Sequence, residues 1–273
     1  MTNDELMKNS ESQLYSLDCL RAKGDLRCGA RMLKDHPERK IKHVWDLIVY
    51  LKQDLEKDLK VLGKGIRGKV HSSVVFYDKK NVLIEKGAEV EAGCVLDARQ
   101  GPIYIGKGTI IKPLSYLRGP LSIGPECRIG GEVMHSIFHG YSNKAHYGFI
   151  GHSYIGEWVN LGAGTTNSNL KNNYGSVKVG GVDTGQTFMG CFIGDFVKTG
   201  IGTLITTGAV IGVGANVFGG GVTPKKVPAF SWGGEKYELE KFLAGAKAMM
   251  KRRKQKLTAG QEQRIKQFYK TAN

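Results

Sequence analysis

The chain has 273 residues and 41% hydrophobic content, which is enough for one or two domains with a buried core. Its five cysteines, Cys19, Cys28, Cys94, Cys127 and Cys191, are far apart and form no CxxC pair, so a disulfide framework and a cysteine zinc site are excluded. No apolar run approaches the roughly 18 residues of a membrane span and no signal peptide is evident, so we expect a cytoplasmic protein without a membrane span.

Much of the net charge of +15 lies at the C-terminus, where residues 235–273 hold 11 Lys or Arg against four Glu. Such a balance first suggests nucleic acid as a partner. However, the basic residues are not interleaved with aromatic ones, and the chain contains no known nucleic-acid motif. We therefore predict no nucleic-acid partner, and interpret the basic run KRRKQK as a solvated helix face or a contact for an anionic small ligand.

Residues 1–69 are predicted to be a helical lead-in. The pattern is helical from 17 to 62 and clearest from Val44 onward, where apolar residues recur at steps of three and four. These residues are Trp45, Ile48, Leu51, Leu55 and Leu59. Gly63 and Gly65 follow as a helix stop.

Residues 70–222 contain a repeat of six residues, which extends over most of this segment. Its marker positions are Ile84, Val90, Leu96, Ile105, Ile111, Leu117, Ile123, Ile129, Phe149, Ile155, Leu161, Asn167, Ile193, Thr199, Ile205, Ile211 and Val217. Glycine follows many of these markers. A helix would repeat at about 3.6 residues, whereas a period of six with glycine at the bend indicates a parallel β-helix, with three hexads in each coil.

The repeat loses its phase in two places. Ile129 and the next apolar marker, Ile137, are eight residues apart, and a long stretch separates Asn167 from Ile193. Insertions in a solenoid become loops on one face, which is often the binding face. We therefore expect functional residues near these two breaks.

Residues 223–273 are predicted to form a cap and a C-terminal helix. The sequence TPKKVPAFSWGG does not repeat, and an apolar helical stripe follows it. The stripe consists of Tyr237, Leu239, Phe242, Leu243, Ala246 and Met249. An end of a β-helix exposes strand edges, so a helix that covers it is expected.

The hexads of the Ile/Leu/Val-Gly type resemble the hexapeptide-repeat acyltransferase superfamily. This resemblance implies a left-handed parallel β-helix and a homotrimer. More narrowly, NKAHYGFIGHSYIGEWVNLGAGTTNSNLKNN is similar to the acetyltransferase half of bifunctional N-acetylglucosamine-1-phosphate uridyltransferases. The flanking GGEVMHSIFHGYSNK and VPAFSWGG look closer to a branch of that family described as sugar nucleotidyltransferases.

The resemblance implies a functional role for each matched position. His146 falls on the general base. The substrate-contacting positions are Arg118, Glu132 and Asn169, and the acetyl-CoA-contacting positions are Asn160, Ala163, Gly200 and Gly219. Lys225 is a further candidate, for the phosphates of CoA. Acetyl transfer needs a base near the acceptor and a donor to the thioester oxygen, roles that a neutral histidine and a backbone N–H at a coil corner suit.

The sequence also departs from the family. Met134 stands where the family has a lysine near the sugar phosphate, and Phe149 stands where it has a tyrosine. The nucleotidyltransferase motif is missing, since GKGIRGKV at 63–70 lacks its Pro-Lys. The chain therefore resembles the acetyltransferase half alone, acting on an amino sugar or sugar phosphate.

Two alternatives stay open. The chain could be a non-catalytic trimeric scaffold, or a partner of a separate nucleotidyltransferase. Because His135, His139, His146 and His152 are clustered in sequence, zinc chemistry like that of the β-helical carbonic anhydrases is a third reading. Their spacings of four, seven and six differ from those of that family, so we predict no metal site.

Overall fold

The computed structural model describes Leu14 and residues 17–272. Its α-helices are α1 (Asp46–Val49), α2 (Leu51–Leu62), α3 (Leu239–Lys251) and α4 (Ala259–Thr271), and its 3₁₀ helices are Lys23–Asp25, Leu33–Asp35 and Lys79–Asn81. None of the described helices has the length and apolar character needed to cross a membrane. All other regular structure consists of short strands.

The strands form the three faces of a solenoid. Face 1 is a parallel sheet of nine strands, Gly65–Ile66, Val82–Ile84, Ile103–Ile105, Leu121–Ile123, Ile137–Gly140, Tyr154–Glu157, Phe192–Ile193, Val210–Ile211 and Lys226–Val227. Neighbours in this sheet are separated in sequence by strands of the other two faces, so every coil contributes one strand to face 1. The predicted parallel β-helix with helical ends is confirmed as a β-solenoid.

Faces 2 and 3 are also built from parallel strands, except that the last strand of face 2, Glu235–Lys236, pairs antiparallel with Ser231–Trp232. Face 2 contains Lys69–Val70, Glu89–Val90, Ile110–Ile111, Arg128–Ile129, Asn143–Lys144, Lys198–Thr199, Asn216–Val217, Ser231–Trp232 and Glu235–Lys236. Single bridges from Asn160 to Asn143 and to Lys198 join its two parts. Face 3 contains Val75–Tyr77, Val95–Asp97, Tyr116–Arg118, Glu132–Met134 and Phe149–Gly151, followed by the pair Thr166–Asn167 and Leu204–Ile205.

The two phase breaks have different structures. The stretch between Asn167 and Ile193 leaves the coil and includes the antiparallel hairpin Lys178–Val179 with Val182–Asp183. The earlier break is a tight corner at Gly130–Gly131, which leaves only three residues between the inward side chains of Ile129 and Val133. Parallel pairing reaches from Gly65 to Trp232, so strands lie on both sides of the predicted range 70–222.

Most of the predicted markers point into the prism, where they form one apolar core. Two markers were wrong. Phe138, and not Ile137, pairs in register with Ile123 and Ile155 and lies in the core. Ile150, and not Phe149, pairs with the buried Val133. The first error follows from the short corner at Gly130–Gly131, and the second from the step between Ile150 and Ile155, which is five residues instead of six.

The lead-in covers the outer surface of face 1. Side chains of α2, including Leu51 and Leu55, pack in one cluster with the outward residues of this face, such as Tyr104 and Tyr154. The helical pattern expected from residue 17 appears only from Asp46 onward, because residues 17–45 form turns and 3₁₀ helices. Pro37 and the two glycines in that stretch, Gly24 and Gly29, oppose a continuous helix.

A buried ion network also joins the lead-in to face 1. Arg21 forms ion pairs with Asp195 and, at 3.3 Å, with Glu157. His139 Nδ1 lies 3.2 Å from Glu157 on the same face. Each charge has a partner, and removal of one would leave another buried and uncompensated.

The C-terminal helices cover the corner between faces 1 and 2. Phe242 of α3 packs against Phe230 with ring centroids 5.1 Å apart, and Trp158 and Phe196 belong to the same cluster. Thr258 and Gln261 form a capping box at the start of α4. Among the described residues, neither this cluster nor that of the lead-in includes an outward side chain of face 3.

Candidate functional site

The outer surface of face 3 brings Arg118 and Glu132 onto adjacent strands. Glu132 pairs with Tyr116 and Phe149 in register, and Arg118 pairs with Met134. The guanidinium of Arg118 donates to the Met134 thioether over 3.2 Å. The cation of Arg118, the carboxylate of Glu132 and the rings of Tyr116 and Phe149 therefore share one open surface. Met134 and Phe149, the two positions that differ from the family, both lie on it.

Asn169 lies at the edge of this surface, beside two histidines. Its side-chain amide donates to Nδ1 of His152 over 2.8 Å. The ring of His152 stacks on that of His135 at 4.5 Å between centroids, and Nε2 of His135 donates to the carbonyl of Ile48. Burial lowers the pKa of His152 to about 3, helped by His135 and Arg118, and burial also lowers the pKa of His135.

This histidine pair was not predicted as part of the substrate surface. Its members are 17 residues apart, which is close to one coil, and that spacing is the signal that could have indicated their contact. In their neutral form the two rings can accept or donate hydrogen bonds to a sugar hydroxyl without carrying charge.

His146 lies at the corner between faces 2 and 3, between the strands Asn143–Lys144 and Phe149–Gly151. Its side chain is exposed. The next residue, Tyr147, packs over Gly164 of the following coil, where a Cβ would lie 3.1 Å from the phenol oxygen. Gly164 has a φ of 76°, so this position favours glycine for both reasons.

Three of the predicted cofactor residues follow His146 along the same corner on successive coils. They are Ala163, Gly200 and Gly219. The carbonyl of Ala163 accepts from Gly202, and the amide of Gly200 donates to Val217, so each coil is bonded to the next. These three small residues therefore continue the corner of His146 along the following coils.

Asn160 lies on face 2 near this corner, within a polar row. Asn143 donates to its side-chain oxygen over 3.3 Å, and Arg253 in turn donates to Asn143 over 2.7 Å. Lys198 is the neighbour on the next coil, and burial lowers its pKa. A chain of two hydrogen bonds, from Arg253 to Asn143 and from Asn143 to Asn160, therefore links Asn160 to the C-terminal segment.

Lys225 lies apart from the other candidates. It sits at the corner between faces 3 and 1, where its ammonium donates to the carbonyl of Thr207 and, at 3.0 Å, to the hydroxyl of that residue. The four clustered histidines are also separated. His139 faces Arg21 under the lead-in, His146 is at the corner of faces 2 and 3, and only His135 and His152 touch. In the described residues, no group of three metal-ligating side chains comes together.

Comparison with known proteins finds relatives that match about half of this chain. A bifunctional sugar-1-phosphate nucleotidylyltransferase/acetyltransferase of Sulfurisphaera tokodaii is 35% identical over 155 residues, which is 55% of this chain and 38% of that protein. The bifunctional protein GlmU of a Picosynechococcus species is 31% identical over 150 residues, and that of an Exiguobacterium species 32% over 140 residues. These matches cover 29% of each GlmU protein, and no family model matches the chain.

Proposed function

We propose that this chain, a β-solenoid related to GlmU-type bifunctional proteins, is a cytoplasmic CoA-dependent acetyltransferase that acts on an amino sugar or sugar phosphate. One observation carries the proposal. Arg118 and Glu132 lie on face 3, none of whose described outward side chains belongs to the lead-in cluster or the C-terminal cluster, while Asn169 lies at the edge of that face and His146 at its corner with face 2.

The residues have complementary roles in the proposed reaction. Arg118 offers a planar guanidinium to a phosphate, and Glu132 offers a carboxylate to an amino or hydroxyl group of the acceptor. His146 accepts the proton of the acceptor amine while the nitrogen attacks the thioester carbonyl of acetyl-CoA. The carbon–sulfur bond then breaks, and the proton passes to the departing thiolate. The amide of Ala163 is our candidate donor to the oxyanion.

We further propose that the site is shared between subunits of a homotrimer. Four exposed apolar side chains project from the corner that carries His146, one from each of four coils. They are Leu114 (82% exposed), Tyr147 (72%), Ile201 (83%) and Phe218 (50%), and we call them the apolar column. Large apolar side chains exposed along one edge of a fold are typical of a protein interface. A second subunit seated there would bring its own surface to His146.

A second function is favoured by Met134 and Phe149. Met134 is only 8% exposed and replaces a family lysine beside Arg118, so the phosphate subsite has one cation fewer than the family site. A chain that had lost acceptor binding would act as a trimeric scaffold or as the partner of a separate nucleotidyltransferase.

Calorimetric titration of acetyl-CoA into the purified chain tests the proposal. We expect binding with a dissociation constant of about 1 µM to 1 mM, the usual range for enzyme substrates. Acetylation of glucosamine 1-phosphate should follow, and His146→Ala should lower its rate by about a hundredfold or more while leaving acetyl-CoA binding intact. Binding without turnover on any amino sugar would favour the scaffold, and no binding at millimolar acetyl-CoA would overturn the enzyme.

A further inference from the structure

Lys144 lies inside the prism, at a position where the other coils carry apolar side chains. It pairs in register with Ile129, which in turn pairs with Ile111, and both of these belong to the core. Only 2% of Lys144 is exposed, and it is the one lysine among the buried residues that the structure describes. Apolar residues are the rule at such positions, so the lysine requires an explanation.

The ammonium group reaches the corner that carries His146. It donates to the carbonyl of Gly130 over 2.7 Å and to the carbonyl of His146 over 2.8 Å. A Cβ on Gly131 would lie 3.0 Å from Nζ, so the group fits closely beneath this corner. No backbone amide in the described chain donates to either carbonyl, so Lys144 supplies the hydrogen bonds that they need.

The interaction is costly, because burial lowers the pKa of Lys144 to about 8 and no carboxylate offsets that burial. A methionine of similar length would avoid the cost of burying charge. What it could not do is join the two carbonyls, which belong to the corners of two successive coils. The lysine therefore links the coil that precedes His146 to the corner of His146 by hydrogen bonds to one carbonyl on each.

We propose that Lys144 is a positioning residue that sets the backbone of His146 and thereby aims its imidazole at the acceptor. In the described part of the chain no side chain hydrogen-bonds to the imidazole, so the backbone is the part of His146 that the fold holds directly. The catalytic consequence rests on the proposed acetyltransferase function. The contact itself does not.

The test compares Lys144→Met with Lys107→Met, which removes an exposed lysine from an earlier corner of the solenoid. Both variants are assayed for kcat and KM with acetyl-CoA and glucosamine 1-phosphate. The ¹³C–¹H signal of the His146 imidazole, assigned with His146→Ala, is recorded for each. A thermal melt shows whether the solenoid is retained.

We expect Lys144→Met to fold, to lower kcat by about tenfold to a hundredfold and to leave both KM values within about twofold. The His146 signal should shift, whereas Lys107→Met should match the wild type in every measurement. A Lys144→Met enzyme with wild-type kcat and an unmoved His146 signal would overturn the proposal. If Lys144→Met fails to fold, Lys144→Gln replaces it under the same criteria.

The two proposals fail differently. If the wild type neither binds acetyl-CoA nor acetylates any amino sugar, the proposed function is wrong. The imidazole signal then decides about Lys144 alone: a shift in Lys144→Met with none in Lys107→Met supports the positioning role, and an unchanged signal rejects it.

Discussion

Asn169 donates a hydrogen bond to Nδ1 of His152, and the same imidazole stacks on His135. The bond requires a lone pair on Nδ1, so it forms only with the neutral ring. Burial acts in the same direction by lowering the pKa of His152 to about 3. The edge of the acceptor surface is therefore uncharged at neutral pH, and Arg118 is left as the cation beside it.

This arrangement predicts the titration of His152. In a histidine-labelled NMR titration its ring should stay neutral until the pH approaches 3, whereas in Asn169→Ala its pKa should rise toward the ordinary value. Because the folded pKa lies below the unfolded value of about 6.5, the unfolded state binds the proton first, and the free energy of unfolding should fall as the pH drops from 6.5 toward 3. Titration of His152 near pH 6.5 in the wild type would contradict the buried pair.

The contact between Arg118 and Met134 predicts a gain of function. Met134→Lys places a second cation beside the guanidinium, so the KM for glucosamine 1-phosphate should fall by about tenfold. Without bound phosphate, the new lysine and Arg118 would repel each other, which should lower the free energy of unfolding by about 1 kcal/mol. Met134→Leu keeps the shape without the charge and is the control for both effects. A KM that stays constant would mean that the phosphate binds elsewhere.

The apolar column predicts how the chain assembles. Ile201→Lys places a charge at an 83% exposed site of the column, so it should dissociate the proposed trimer and abolish acetyl transfer while the subunit stays folded. Val61→Lys, at a 67% exposed site on α2, should change neither. Light scattering after size exclusion gives the mass of each variant. A wild-type monomer, or an Ile201→Lys trimer, would refute the interface.

The sequence predicts the solenoid because the six-residue period is visible in single residues, an apolar one at each marker and often a glycine after it. Ile105 and Ile123 are followed by glycine and lie in register on face 1, as the hexad pattern implies. It also predicts α2, because the apolar stripe that packs on face 1 recurs at helical spacing within the helix itself. It could not predict residues 17–45, since these turns are held by partners far away in sequence, as when Gly29 accepts a hydrogen bond from Ser122.

For the candidate site, the sequence predicts where some residues lie but not what they do. The places of Arg118, Glu132 and Asn169 on one surface follow once the coils are counted, but their roles came from resemblance. Lys144 was missed because the period fails before it, at Gly130–Gly131, and after it, between Ile150 and Ile155, so no pattern separates an inward lysine from an outward one. The hydrogen bond from Lys144 to the carbonyl of His146 depends on the fold and has no pattern in the sequence.

The shifted phase after that corner gives the last prediction. Ile150 is fully buried in the prism, whereas its neighbour Phe149 points outward beside Glu132 and is half-buried. Ile150→Ala should therefore lower the free energy of unfolding by about 2–5 kcal/mol, through lost burial and the cavity it leaves. Phe149→Ala should cost less than about 1 kcal/mol, although it removes more atoms.

Urea unfolding at one fixed protein concentration measures both variants, because assembly would otherwise change the apparent stability. Ile150→Val, which removes one methyl group, should fall between the wild type and Ile150→Ala, at a cost of about 0.5–1.5 kcal/mol. A larger loss in Phe149→Ala than in Ile150→Ala would place Phe149 inside the prism, six residues before Ile155. It would also place Lys144 outside the prism, because Lys144 precedes Ile150 by six residues and shares its orientation.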